Sequence, residues 1–154
     1  MNGLPMTRNS FLKTLCVIPA AFATRLSAAA PQLTVYKTKT CGCCGNWVQL
    51  MKTSGFDVKV VEVDDTTEYR RKYGVPDALA SCHTAVVDGY AIEGHVPAAD
   101  IQRLLKTRPA AKGLAVPGMV MGSPGMEGPR SDPYSVVMFD AAGKTSVFQS
   151  YPRK

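Results

Sequence analysis

The sequence lacks the features of a nucleic-acid-binding protein. It has no basic run and no interleaving of basic with aromatic residues, although its formal charge is +6. Three of its cations, Arg8, Lys13 and Arg25, lie among the first 30 residues, which hold no acid, so residues 31–154 carry only +3. Such a weak charge does not indicate a nucleic-acid partner. The hydrophobic content of 45% is ordinary and excludes a globally disordered chain.

The chain also lacks a long hydrophobic run outside its N-terminus. There, Arg8 and Lys13 precede a short apolar stretch, residues 14–23, and small residues follow it. This is the layout of a secretory signal, and it is too short to span a bilayer. We therefore expect a secretory signal segment at residues 1–30, a single domain at residues 31–154, and no membrane span in the mature chain. A frayed N-terminal helix on a cytosolic protein is the alternative.

Cysteine is scarce but concentrated. The chain has five cysteines, and three of them, Cys41, Cys43 and Cys44, fall within four positions. If Cys16 is removed with the signal, the only other thiol is Cys82. Four thiols in an exported protein could form two disulfides. A bridge between adjacent cysteines is strained, however, and any pairing within the trio leaves unusual geometry, so a metal or redox site explains the crowding better.

The cysteine trio lies between a predicted strand, Leu33–Lys37, and a helix that begins near Gly42. Trp47, Leu50 and Met51 have the spacing of a buried helix face. A helix N-terminus favours thiolate over thiol, and thiolates suit soft metals such as Cu(I) or Zn(II). Adjacent thiolates can bridge several Cu(I) ions, whereas Zn(II) prefers ligands on two separate knuckles. Copper is therefore the favoured metal, with Zn(II) or thiol redox chemistry as alternatives.

The remaining pattern predicts an α/β fold. The further elements are a strand at Val58–Val63, a helix capped by Asp65, a hairpin of Thr84–Val87 with Tyr90–Ile92, a helix opening at Pro97, and strands at Tyr134–Phe139 and Thr145–Phe148. The order β-α-β-α, hairpin, α is that of the thioredoxin fold, a three-layer sandwich with a mixed sheet. Residues 112–130 are rich in Gly, Pro and Met, which predicts an irregular C-terminal extension with neither a helix nor a central strand.

The sequence has no proline where thioredoxin-like proteins usually carry one. In that fold, a loop before the hairpin packs against the cysteine motif and normally holds a cis-proline. Here residues 81–84 hold Cys82 and His83 instead. This placement brings Cys82 close to the trio and argues against an ordinary disulfide exchanger. His83 and His95 are further candidate ligands; the alternatives are that His83 points away from the site and that His95 caps a helix or faces solvent.

Methionines are concentrated in the Gly/Pro-rich segment. Met119, Met121 and Met126 would usually be core filler. A Gly/Pro loop has little core to fill, and a thioether suits Cu(I). We favour Met119 as a ligand over Met126, and Met126 over Met121.

Several motifs together resemble the CopG family of periplasmic copper-resistance proteins, which are unrelated to the DNA-binding repressors of that name. The matching segments are Thr40–Cys44, Leu79–Val87, Tyr90–Ile101, Gly113–Met119 and Gly122–Glu127. The resemblance covers roughly residues 33–140 and departs at Val120, where the family pattern leads us to expect proline. It implies a periplasmic, thioredoxin-like domain whose cysteines hold copper, and an activity that interconverts Cu(I) and Cu(II).

The sequence thus predicts an exported copper-binding protein for copper resistance, in which Cu(I) is held by a cysteine cluster that can be multinuclear. The predicted metal ligands are Cys41, Cys43, Cys44, Cys82, His83, His95 and Met119. Turnover as a copper oxidoreductase stays open. Two alternatives remain: a thiol–disulfide oxidoreductase that uses Cys41 and Cys44, and a chaperone that passes copper to periplasmic copper-handling proteins.

Overall fold

A computed structural model describes residues 29–152, in which seven strands form one mixed sheet of order β2-β1-β3-β4-β5-β6-β7. The strands are β1 (Gln32–Thr38), β2 (Asp57–Val63), β3 (His83–Val87), β4 (Tyr90–Glu93), β5 (Gly113–Ala115), β6 (Tyr134–Phe139) and β7 (Thr145–Tyr151). The helices are α1 (Gly42–Thr53), α2 (Thr67–Lys72) and α3 (Ala98–Thr107), and a 3-10 turn spans Asp77–Leu79.

The first 28 residues, and with them nearly all of the predicted signal segment 1–30, lie outside the described residues. The signal and the domain boundary at residue 31 therefore stay predictions. Among the helices of residues 29–152, none is long and apolar enough to cross a membrane.

Strand β1 is the second strand of the sheet, between the edge strand β2 and β3, and its side chains point to both faces. It pairs parallel with β2, as the sequence predicts for strands joined by a helix, and antiparallel with β3. Because side chains alternate along a strand, Leu33 and Val35 point to one face and Tyr36 to the other. Helices α1 and α3 cover the first face and α2 covers the second, which confirms the three-layer, thioredoxin-like α/β prediction.

Helix α1 buries one stripe of side chains against the sheet. The stripe has the i, i+3, i+4, i+7 spacing of a helix face and consists of Cys44, Trp47, Val48 and Met51. The prediction that Leu50 belongs to it is wrong, since Leu50 is 37% exposed. With the stripe centred between Trp47 and Val48, Leu50 falls at its edge. Trp47 and Met51 are fully buried core residues, as predicted.

On the opposite face, aromatic side chains join α2 to β1. The Tyr69 ring stacks on the Tyr36 ring with centroids 4.2 Å apart, and the hydroxyls of Tyr36 and Tyr73 are 2.8 Å apart. A second, smaller core lies on this side, formed by Val75, Leu79, Ala91, Ala115 and Phe139. This face therefore has its own apolar packing.

Strand β5 corrects the prediction that residues 112–130 contain no central strand. Gly113–Ala115 pairs with β4 on one side and β6 on the other, and all three residues are buried. Gly113 is required there, because a Cβ at this position would overlap the Ala91 carbonyl. The strand ends just before Pro117, and the segment from there to β6 is irregular, which agrees with the predicted extension.

Candidate metal centre

The N-terminus of α1 carries three of the predicted ligands. Cys41 is the residue before the helix, and its carbonyl accepts the Gly45 N–H at 3.3 Å. Cys41 and Cys44 form a disulfide across this first turn, with Cα atoms 5.4 Å apart. That separation lies within the usual range for disulfides. One helical turn brings positions i and i+3 together.

Cys43 and Cys82 are free thiols that lie beside this disulfide. Cys43 Sγ is 3.6 Å from Cys41 Sγ, and Cys44 Sγ is 3.8 Å from the Cys82 carbonyl oxygen. The sulfurs of Cys41, Cys43, Cys44 and Cys82 all lie within 4.8 Å of one another. Two separate chain segments thus converge at one rim of the sheet, as the sequence predicts.

Two imidazoles adjoin the Cys82 sulfur. His95 Nε2 lies 3.0 Å from Cys82 Sγ, and His83 Nδ1 lies 3.4 Å from it. One ligand atom from each of Cys82, His83 and His95 lies within 4.8 Å of the other two. Both histidines are completely buried, so the alternatives of a solvent-facing or outward-pointing ring do not apply.

Burial sets the protonation of these groups. It lowers the pKa of His83 to about 3, with the neighbouring His95 adding to the effect, and it also lowers the pKa of His95. Burial, followed by the nearby Cys43 thiol, raises the pKa of Cys82 to about 12. At neutral pH both imidazoles therefore keep lone pairs free for a metal, whereas Cys82 must release a proton to become a thiolate ligand.

The Gly/Pro/Met-rich segment orients His95. His95 Nδ1 donates a hydrogen bond of 2.7 Å to the Pro124 carbonyl, which leaves Nε2 unprotonated and directed at Cys82. Outer contacts of this kind fix the tautomer and ring orientation of metal-binding histidines. Sequence reasoning missed this role of Pro124, because the contact uses a backbone carbonyl that every residue possesses.

The same segment docks on both parts of the sulfur cluster. Gly125, at φ +84°, lies so close to α1 that an added Cβ would approach Trp47 N at 2.8 Å and Cys43 O at 2.9 Å. Gly118 N donates to Ala80 O at 2.9 Å, and the Ser81 hydroxyl donates to the Gly118 carbonyl. The segment therefore connects the loop before Cys82 to the first turn of α1.

Met119 follows Gly118 on this docked segment, but its side chain is 61% exposed. Met119 therefore lies close in the chain to the loop that precedes Cys82, to which Gly118 is hydrogen-bonded, but much of its side chain faces solvent. Met121 and Met126 are half-buried. The ligand role of Met119 stays a prediction.

A buried carboxylate supports Cys82 from the other face of the sheet. Glu93 is fully buried; its Oε1 accepts the Ser81 N–H at 2.7 Å and its Oε2 accepts the Thr84 hydroxyl at 2.6 Å. Arg70 lies 3.7 Å from Oε1. Burial raises the pKa of Glu93, against the lowering effect of these partners. Sequence reasoning did not assign Glu93 a role. The feature that could have indicated one is a single acidic residue at the end of the otherwise apolar strand β4.

Trp47 completes the α1 side of the centre. Its ring lies 4.5 Å from the His83 ring, and its Nε1 donates to the Val96 carbonyl at 2.9 Å. The His83 ring in turn meets the His95 ring edge-on, with centroids 5.1 Å apart. This packing holds both imidazoles in place.

Comparisons with known proteins match both halves of this centre. A glutaredoxin family model matches residues 33–74, which include the cysteine trio, and a model described as "Protein of unknown function, DUF411" matches residues 79–126. A solved structure of copper resistance protein CopG, form 2, is 44% identical and superposes with a TM-score of 0.76 over 80% of this chain and 99% of that chain. The chain belongs to the CopG family.

A second CopG structure, form 1, is also 44% identical, with a TM-score of 0.74 over 79% of this chain and 97% of that chain. No curated protein sequence matches. Membership of the CopG family and the cysteine cluster together support a copper-related function, in agreement with the resemblance seen in the sequence.

Proposed function

We propose that this protein is an exported copper-binding protein of copper resistance that holds Cu(I) in its cysteine cluster and interconverts Cu(I) and Cu(II). The proposed ligands are Cys41, Cys43, Cys44, Cys82, His83, His95 and Met119. Export to the periplasm rests on the N-terminal signal pattern and on the family resemblance.

The observation that carries this proposal is the convergence of four sulfurs within 4.8 Å of one another. Thiolates are soft ligands, and a thiolate can bridge two Cu(I) ions, so four of them in such a small volume suit more than one ion. Zn(II) fits less well, since its structural sites take tetrahedral ligands from separated pairs. Two buried, neutral imidazoles beside Cys82 add nitrogen ligands that Cu(II) also accepts.

Anaerobic titration of the fully reduced protein with Cu(I) tests the proposal. We expect saturable binding with sulfur-to-copper charge-transfer absorbance. The double variant Cys43→Ser, Cys44→Ser should lose more than about a hundredfold in affinity, because losing even an outer partner of a metal ligand costs tenfold to hundredfold. Ser54→Ala, at the far end of α1, is the matched control and should bind normally. Unchanged affinity in the double variant would count heavily against the cluster.

The Cys41–Cys44 disulfide favours a second candidate, a thiol–disulfide oxidoreductase. It has the Cys-x-x-Cys spacing at a helix N-terminus, which lowers thiol pKa values in redox proteins. Insulin reduction by metal-free protein distinguishes the two functions. The copper proposal expects little activity, because residues 81–84 lack the proline that orients peptide substrates in the fold; strong activity would favour the exchanger.

A further inference from the structure

We propose that the Cys41–Cys44 pair is the electron store with which this site reduces Cu(II). The reduced pair gives one electron to each of two Cu(II) ions and closes into the disulfide seen in the structure. This inference rests on the proposed copper function, and it adds the source of the electrons and the number that one chain can deliver.

The position of the pair suits a reversible change. Cys41 and Cys44 are three positions apart across the first turn of α1, with Cα atoms 5.4 Å apart. A disulfide and two thiols can both be accommodated at this separation without moving the backbone far. The Cys43 sulfur lies 3.6 Å from the Cys41 sulfur. A copper ion held by Cys43 would therefore lie close enough to the oxidisable pair for direct electron transfer.

A separate set of ligands survives the oxidation. When Cys41 and Cys44 are joined, Cys43 and Cys82 remain free thiols. Cys82 also keeps His83 and His95 within 4.8 Å, so the Cu(I) that is formed retains sulfur and imidazole ligands. The site thus divides its donors into a pair that can be oxidised and a group that continues to hold the metal.

The reaction balances within these components. The S–H bonds of Cys41 and Cys44 break, one S–S bond forms, and two protons pass to solvent. The two electrons released reduce two Cu(II) to two Cu(I), so Cu(II) is the oxidant and the dithiol the reductant. Reopening the disulfide requires an external dithiol donor. Without one, we expect the pair to deliver two electrons per chain and then stop.

The test mixes fully reduced, reductant-free protein with excess Cu(II) under anaerobic conditions. A chromogenic chelator counts the Cu(I) formed, and peptide mass mapping after alkylation locates the disulfide. We expect a first phase of two Cu(I) per chain, with loss of two thiols and a bridge between Cys41 and Cys44. Formation of Cu(I) without thiol loss, or a first bridge between Cys43 and Cys82, overturns the inference.

Two double variants with equal numbers of thiols provide the matched comparison. Cys41→Ser with Cys44→Ser should slow the first phase at least tenfold. Cys43→Ser with Cys82→Ser should still close the Cys41–Cys44 bridge, but should surrender its Cu(I) to the chelator faster. Equal first-phase rates in the two variants contradict the inference. The wild-type mapping needs no variant, so it stands even if a variant misfolds.

Failure of this inference can be told apart from failure of the proposed function. If the reduced protein binds Cu(I) in the titration but keeps all of its thiols when it meets Cu(II), only the electron store is wrong. If the reduced protein does not bind Cu(I), the copper site itself is wrong.

Discussion

Buried polar groups lie beside Cys82 on both faces of the sheet, and the two faces differ in how these groups are hydrogen-bonded. On the α1 face, His83 and His95 direct ring nitrogens at the Cys82 sulfur, and His83 Nε2 has no hydrogen-bond partner within residues 29–152. On the α2 face, both oxygens of Glu93 accept hydrogen bonds. A buried polar group normally finds its partners, so the fully bonded carboxylate of Glu93 indicates structural support, whereas the unpartnered His83 nitrogen beside Cys82 indicates a ligand.

The largest expected effect comes from removing the support. Glu93→Ala leaves Arg70 with only the exposed Asp77 carboxylate nearby and removes the buried acceptor of the Ser81 N–H and the Thr84 hydroxyl, so we expect a loss of about 3–5 kcal/mol in unfolding free energy. Asp77→Ala is the matched control, because Asp77 also lies 3.7 Å from Arg70 but its side chain is 70% exposed. That variant should lose less than about 1 kcal/mol. Denaturant unfolding measures the loss of stability in both variants. Similar losses would show that the buried Glu93 and the exposed Asp77 contribute equally.

A smaller effect is expected from disturbing the ligand set through the segment that orients it. Gly125→Ala places a Cβ against the first turn of α1 and should shift the Pro124 carbonyl away from His95. We expect roughly a tenfold loss of Cu(I) affinity. Gly143→Ala carries the same positive-φ strain, with only Pro76 Cγ within 4 Å, and should keep its affinity. Equal affinities in a Cu(I) competition titration would show that the segment does not position His95.

The smallest effect concerns a paired group on the α2 face. The hydrogen bond that the Tyr36 hydroxyl shares with Tyr73 and, second, burial raise the pKa of Tyr36 from its usual 10.0 to about 12. Since the folded state holds this proton more tightly, the stability gained is complete below pH about 10 and is lost as the pH rises through about 12. Tyr73→Phe should lower the Tyr36 pKa and make this alkaline loss shallower. Tyrosinate absorbance measures the Tyr36 titration, and the melting temperature measures the alkaline loss of stability. An unchanged Tyr36 titration in Tyr73→Phe would contradict the effect of the Tyr36–Tyr73 hydrogen bond.

The sequence was sufficient for those parts of the molecule that local patterns specify. The order of elements places the trio at the start of α1 and Cys82 at the entry to β3, and the fold then brings their sulfurs together. Strand β5 escaped prediction because it has only three residues and adjoins a Gly/Pro-rich segment. Its pairing depends on strands β4 and β6, which are distant in the chain.

The outer contacts of the centre were beyond sequence reasoning for a different reason. The bond from His95 to the Pro124 carbonyl joins residues 29 positions apart and uses backbone, which leaves no residue-type signature. The contact of Glu93 with Arg70 can be predicted only once the relative positions of β4 and α2 are known. The Cys41–Cys44 spacing was visible, but a spacing does not reveal whether two thiols are joined.

The position of Trp47 gives the protein a built-in optical reporter. It is the only tryptophan in the sequence, it is fully buried, and its ring lies 4.5 Å from that of His83. Indole emission responds to a metal ion at such short range, so copper entering beside His83 should quench the fluorescence of the unlabelled chain. The kinetics of metal arrival and departure can therefore be followed without attaching any dye.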